Sequence, residues 1–343
     1  MRTGHNTLVG QAGMRGGPRH GGGAVDGPSR VGGARPALGI LAVGLAAALL
    51  AACSVKRAAV EILGDALAGG AGAYAADDDP DLIREAIPFG LKTYESLLAL
   101  SPEHRGLLLA AASGFAAYAS LLHTEADRLD ATDLAQARAL RVRSRRLYLR
   151  GRNYALRGLE LAHPGFGLRL TSQRASALAM TTKDDVPFLY WAGASWAGAL
   201  TAAKGDLDLL AELPMAGALV GRVLELDETY ERGAAHEFFI AYEGSRPEAM
   251  GGSVWRARAH YRRALAISGG VRASVHLTLA EAVAIREQNL TEFRALITAA
   301  LAVDPDTEPE LRLANTVATR RARWLESRIP DLFSEAEQSE VSP

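Results

Sequence analysis

Asp184-Asp-Val-Pro-Phe-Leu-Tyr-Trp-Ala-Gly-Ala-Ser-Trp-Ala-Gly-Ala-Leu200 is the stretch on which the reading of this chain turns. Aromatic residues make up only 6% of the sequence, yet Phe188, Tyr190, Trp191 and Trp196 all fall here. Asp184 and Asp185 suit a helix N-terminus, and Pro187 is tolerated in a first helical turn. At helical spacing Phe188, Trp191, Ser195 and Ala199 share one side, with Tyr190 and Ala197 opposite. Such a helix is apolar all round and is expected to be buried on more than one side. Its Ala and Gly residues let neighbouring helices come close. Two readings fit: a central core helix, or the aromatic wall of a ligand cavity.

On either side of this stretch the periodicity is helical. From Ala58 onward apolar residues recur at three and four, with no convincing alternation of period two. Asp77-Asp-Asp-Pro80 reads as a helix start, with a helix from Asp81 to Leu100 and a second from about Arg105 to Leu122. A short pattern then recurs: Leu98-Ala-Leu100-Ser-Pro, Leu159-Glu-Leu161-Ala-His-Pro, Leu224-Glu-Leu226-Asp, Leu265-Ala-Ile267-Ser and Leu301-Ala-Val303-Asp-Pro. Each closes a helix and enters a turn. The last two steps, from Leu224 to Leu265 and on to Leu301, are near the ~34-residue period of tetratricopeptide repeats. The expected fold is therefore all-α, a TPR-like superhelix of helical hairpins over residues 58–333. Each hairpin leaves an apolar face that the next must cover.

The N-terminal part is different in kind. Residues 1–36 are dominated by Gly, Arg, His and Pro and are expected to be disordered, as is a tail over 334–343. Residues 37–53 form an uncharged apolar run behind Arg30 and Arg35, the layout of a signal sequence. The run is short for a membrane-spanning helix. It ends Leu50-Ala51-Ala52-Cys53, and Cys53 is the one cysteine in the chain. This is the arrangement of a bacterial lipobox, in which a thiol takes the lipid after small residues have admitted the peptidase. Acyl chains on Cys53 would hold the mature chain on a membrane surface. Ser54 follows the cysteine, which favours the periplasmic leaflet of the outer membrane over the inner membrane.

Composition narrows the function further. The 38 basic and 39 acidic residues balance to a net charge of −1, which speaks against nucleic acid as a partner. A single cysteine leaves no disulfide framework and no cysteine-based zinc site. The histidines make no metal-ligand pair within a helix, and Asp77 to Asp79 read as a cap and not a calcium loop. Gly193-Ala-Ser-Trp-Ala-Gly198 is spaced wrongly for a nucleophile elbow and lies mid-helix. The glycines at 69, 70 and 72 make no phosphate loop. The expectation is a non-enzymatic protein without cofactor or metal.

Two further groups stand out. The helix from Ala137 to Arg157 carries Arg138, Arg141, Arg145 and Arg152 on one ridge and Arg143, Arg146, Arg150 and Arg157 on another. It reads as a solvated face paired with acids, or as a docking surface for phosphates or an acidic partner. Arg256 and His260 share a helix face, with Trp255 and Tyr261 nearby. Together with His236 they are candidates for polar anchors in a cavity otherwise lined by Phe188, Tyr190, Trp191 and Trp196.

Taken in order, the lipobox, Asp77-Asp-Asp-Pro-Asp-Leu-Ile-Arg-Glu-Ala-Ile-Pro-Phe89, Leu91-Lys-Thr-Tyr-Glu-Ser-Leu-Leu98, Leu147-Tyr-Leu-Arg150, Val186-Pro-Phe-Leu-Tyr-Trp191 with Ser195-Trp196, and Leu313-Ala-Asn-Thr316 with Arg320-Arg-Ala-Arg-Trp-Leu325 resemble the TatT family. These are tetratricopeptide-repeat lipoproteins associated with TRAP (tripartite ATP-independent periplasmic) transporters. The resemblance runs from about Cys53 to Phe333. It implies a lipid-anchored periplasmic helical-repeat body, a homotrimer, that docks a TRAP-type periplasmic solute-binding protein. It also implies an internal cavity that holds or passes a small organic ligand, apolar or an organic acid. The long residues 1–36 depart from the short signal peptide usual in the family. A ligand-free scaffold binding a protein in the envelope is the competing expectation.

Overall fold

The computed structural model describes residues 61–67, 69, 71–203 and 211–334. The extension 1–36, the signal segment with Cys53 and the tail from 335 lie outside the described residues. Among the described residues all regular structure is helical. The helices are α1 (Ala71–Ala75), α2 (Pro80–Leu100), α3 (Arg105–Leu129), α4 (Leu134–Ala162), α5 (Phe166–Ser172), α6 (Arg174–Ala179) and α7 (Val186–Ala202). After residues 204–210 follow α8 (Leu213–Asp227), α9 (Ala234–Gly244), α10 (Val254–Ser268), α11 (Ala273–Leu279), α12 (Leu290–Leu301), α13 (Arg312–Ser327) and α14 (Ile329–Leu332).

Local chemistry sets many of the boundaries. Asp79 caps α2 by accepting from the amides of Asp81 and Leu82, and Pro80 takes the first helical position. His104 caps α3 through Nδ1, which accepts from Leu107 N. Gly269 and Gly270, with φ of 64° and 80°, stop α10 in the left-handed region that side chains avoid. All five Leu-x-Leu-type signatures lie at the C-terminal ends of helices: α2, α4, α8, α10 and α12. Two helices run longer than their apolar periodicity indicates. α3 continues to Leu129 through Glu125, Asp127 and Arg128, and the arginine-rich helix spans Leu134–Ala162. In both, the extension still carries buried positions, Ala126 in α3 and Gly158 and Leu159 in α4, among charged residues that mask the periodicity.

Helices adjacent in sequence pack together from α2 to α6 and again from α7 to α13, with α4 against both α3 and α7, and α7 against α8. Two apolar cores result. The first gathers residues from α2 to α9, with Leu107, Leu108, Leu159, Phe166, Leu189 and Leu219 fully or almost fully buried. The second lies under α9 to α14, around Ile240, Leu279, Phe293, Ile297 and Phe333. The buried Asn315 of α13 pins the start of α11, accepting from Ala273 N and donating to Val271 O. The last long helix then returns to the first ones. Arg312 of α13 donates to Ala76 O, Arg320 pairs with Asp81 at 2.9 Å, and Arg321 with Asp127 at 3.1 Å.

α7 is enclosed by α3, α4 and α8, and glycines set how close they come. At Gly193 an added Cβ would lie 2.5 Å from Val220 and 2.9 Å from the carbonyl oxygen of Ala216 in α8. At Gly158 of α4 it would lie 2.1 Å from the ring of Phe188. The absent side chain is what lets that ring seat. Gly158→Ala is expected to lower stability by about 2–3 kcal/mol, since a packed ring has no room to yield. Gly167→Ala, at a helical site whose nearest neighbour would be 3.6 Å away, is expected to be neutral or slightly stabilising. Urea unfolding followed by circular dichroism checks both, and an unchanged Gly158→Ala midpoint would mean that Phe188 is not held there.

Candidate functional site

The N-terminus of α7 is fixed by a buried carboxylate. Asp185, 2% exposed, accepts from Thr182 N (3.0 Å), His163 Nε2 (2.7 Å) and Arg105 Nη2 (3.3 Å). Burial alone would raise its pKa, but the bonds from His163 and Thr182 and the adjacent positive charge hold the carboxyl below its ordinary value. The two faces of α7 then differ. Phe188 is buried against Gly158 with Arg105 over its ring. Trp196 is buried as well; its indole N–H donates to Glu212 at 2.6 Å, and the Arg152 guanidinium lies 4.6 Å from its ring centre. These two aromatics serve as core.

Tyr190 and Trp191 are half-buried and meet edge to face at 5.1 Å. Tyr230 joins them, 5.5 Å from Tyr190 and hydrogen-bonded to Trp191. Behind them Arg272 pairs with Glu237 at 2.6 Å. Burial pushes both phenols far above their ordinary pKa, although each keeps some accessible surface. The Tyr190–Trp191–Tyr230–Arg272–Glu237 group is therefore a mixed aromatic and charged cluster in a low-dielectric setting. Tyr230, Glu237 and Arg272 were not singled out from sequence. They come from segments far apart in the chain, and no local pattern links them.

The remaining candidates sit elsewhere. His236 and His260 face each other through their Nδ1 atoms at 2.8 Å, across α9 and α10. The Glu228 carboxylate, held at a pKa of about 2 by Arg263 and His236, accepts from His236 Nε2. A carboxylate only accepts, so neutral His236 carries its proton on Nε2, and His260 must donate Nδ1–H to His236. Phe239 stacks on His260 at 5.1 Å. Tyr261 is hydrogen-bonded to His276 Nδ1 at 2.9 Å. Arg256 is exposed and pairs with Glu243 at 2.7 Å, and Trp255 is 74% exposed. The structure thus brings together Tyr190 with Trp191 and His236 with His260, and leaves the eight candidates without one shared site. None of them lines either of two open clefts, of about 400 and 390 Å³, formed by other residues of the body.

On the arginine-rich α4 the acids expected from sequence are present. Arg141 pairs with Asp127 and Asp130, Arg150 with Glu95, and Arg152 with Glu212. Tyr154 stacks on Phe115 and donates to Glu95, while Tyr148 packs against Gly198 with its pKa pushed up to about 12 by burial. Among the described residues no group of three or more His, Cys, Asp or Glu side chains is placed to hold a metal ion.

The described residues form an all-helical body with an aromatic cluster at its central helix. Comparison with known proteins narrows this. The chain matches the TRAP transporter T-component family over residues 76–333, and it belongs to that family. It is 32% identical over 304 residues to an uncharacterized protein of Treponema pallidum (strain Nichols), a match covering 83% of this chain and 94% of that protein. The resemblance seen in the sequence is thereby confirmed, and the chain is a component associated with TRAP transport in the cell envelope.

The histidine pair gives a signed pH dependence. Burial, together with the charge of His236, lowers the pKa of His260 to about 4, and burial lowers that of His236. In the unfolded chain both would titrate near ~6.5. Between those values the unfolded state binds more protons, so stability is full above ~6.5 and falls as the pH drops toward 4. Thermal melts of His260→Gln, which keeps a donor for His236 but does not titrate, are expected to show a smaller loss between pH 7 and 5 than wild type. Identical slopes would mean that His260 is not held neutral.

Proposed function

We propose that this protein is a non-enzymatic, lipid-anchored accessory of a TRAP-type transport system. It is tethered through Cys53 on the periplasmic side of the envelope, at the outer membrane in preference to the inner. There it docks a periplasmic solute-binding protein and holds or passes a small organic ligand through space enclosed by a TPR-like stack, and it works as a homotrimer. The observation that carries the reading is the family match across nearly the whole described body. The sequential packing of the helices supports the stack, since each helix covers the apolar face left by its neighbour. The half-buried Tyr190, Trp191 and Tyr230 support the reading as an aromatic group at the central helix that keeps accessible surface.

A second reading, a ligand-free scaffold for protein partners, is favoured by Phe188 and Trp196, which are engaged in packing. Native mass spectrometry of the protein purified from its own envelope separates the two. The expected result is a complex with a periplasmic binding protein together with a releasable small-molecule mass. A stable protein complex with no such mass would favour the scaffold, and the absence of both would contradict the first reading.

A further inference from the structure

Glu61 is the first described residue, and one end of the body is built around it. Ser101, in the α2–α3 turn, donates to the Glu61 carboxylate at 2.7 Å, and Nε2 of the buried His104 lies 3.3 Å from the Glu61 carbonyl oxygen. Arg157, near the end of α4, donates to Pro102 O at 2.8 Å. Arg105, at the start of α3, reaches Asp185 just before α7 at 3.3 Å. The α4–α5 turn is fixed in the same place. There Glu160 accepts from Gly167 N at 2.9 Å, and His163 bonds to Asp185 at 2.7 Å.

This end concentrates exposed apolar surface. Among the described residues twelve large apolar side chains are left exposed, and six of them gather here: Ile62, Leu63, Leu100, Leu161, Leu168 and Met180. Ile62 and Leu168 are 72% and 76% exposed. The six come from separate segments, so no single amphipathic helix produces them; the hydrogen bonds above bring them to one end. Isolated exposed leucines need no explanation, but a concentration of them on a firmly held surface points to something that covers it. The exposed charges nearby almost cancel: Asp65, Glu103 and Glu160 against Arg157 and Arg174, with Lys183 beside Asp184.

The tether says what the cover is. Only residues 54–60 separate Cys53 from Glu61. Those eight chain steps reach about 29 Å at full extension. A lipid on Cys53 therefore confines this end of the body to the neighbourhood of the bilayer. Apolar side chains with balanced charge around them suit the headgroup and acyl boundary without demanding anionic lipid. We propose that this end is a second membrane contact: Ile62, Leu63, Leu100, Leu161 and Leu168 sit in the bilayer surface, and the body stands on its α2–α3 and α4–α5 turns instead of swinging on its tether. The inference rests on the reading above that Cys53 carries the lipid, and adds to it an orientation.

The test uses acylated protein purified from its own envelope and placed on vesicles of phosphatidylethanolamine and phosphatidylglycerol. Cys53 is the sole native cysteine, so on acylated protein a thiol label goes only to an added one. The fluorophore NBD is attached at Leu168→Cys or, as a control, at Val142→Cys, an exposed position about 28 Å along α4 from Leu161 at 1.5 Å per residue. Nitroxide-labelled lipid is expected to quench the probe at 168, and aqueous iodide the probe at 142. Ile62→Gln/Leu63→Gln is expected to lower lipid quenching at 168 roughly threefold, since interfacial binding scales with buried apolar area. It should neither lower the melting temperature nor release the protein from vesicles. The proposal is overturned by iodide quenching at 168 as strong as at 142, by equal lipid quenching at both, or by an unaffected double variant. Protection of 168 from both quenchers also overturns it, because protein and not lipid then covers the patch. If any of these is seen while intact mass shows acyl groups on Cys53, this inference falls and the tethered reading stands; if Cys53 carries no acyl group, both fall.

Discussion

The close seating of α7 among α3, α4 and α8 is the constraint from which the rest of this structure follows. The helix has no solvent-facing polar stripe, so it is stable only where other helices cover it on several sides. Gly193 lets α8 approach to backbone distance, and Gly158 leaves room on α4 for the Phe188 ring. At the N-terminus, Asp185 collects donors from Thr182, His163 and Arg105, which ties α7 to α3 and to the end of α4. A buried carboxylate is tolerated because these partners offset its desolvation. With α7 fixed, Tyr190 and Trp191 can meet Tyr230 of the segment after α8.

The other constraint is electrostatic and concerns the ends of the helical run. α13 reaches α1, α2 and α3 largely through arginines: Arg312 to a backbone carbonyl, Arg320 to Asp81, Arg321 to Asp127. Exposed pairs of this kind contribute little individually, and Arg320–Asp81 belongs with them. Arg321 is different, being mostly buried between two carboxylates that orient it. The junction thus has one well-held arginine beside loosely held ones.

How much of this was legible in the sequence depends on how local the signal is. The helical class, the cap at Asp79-Pro80 and the helix ends at the Leu-x-Leu signatures follow from periodicity and stop signals within a few residues of each other. The burial of α7 on several faces was equally local, since no polar stripe existed to expose. The aromatic residues themselves divided: Phe188 and Trp196 became core, while Tyr190 and Trp191 kept accessible surface. Helical spacing gives the face on which a residue lies but not the neighbour that face will meet. That is why Arg256 and His260, one turn apart, part company, one toward Glu243 and the other toward His236. The arginine-lined junction of α13 with α2 and α3 was least legible. It brings Arg320 to Asp81, 239 positions away, and the Arg320-Arg-Ala-Arg-Trp324 segment gives no local sign of what it faces.

The central claim, that α7 is the enclosed element around which the other helices are arranged, is tested most directly by native-state hydrogen exchange. Amides of Val186–Ala202 beyond the first turn should be among the slowest in the protein, together with those of α3 and α4, and should exchange only through global unfolding. If they exchange as fast as those of the short helices α5 and α6, α7 opens independently of its neighbours and the account is contradicted.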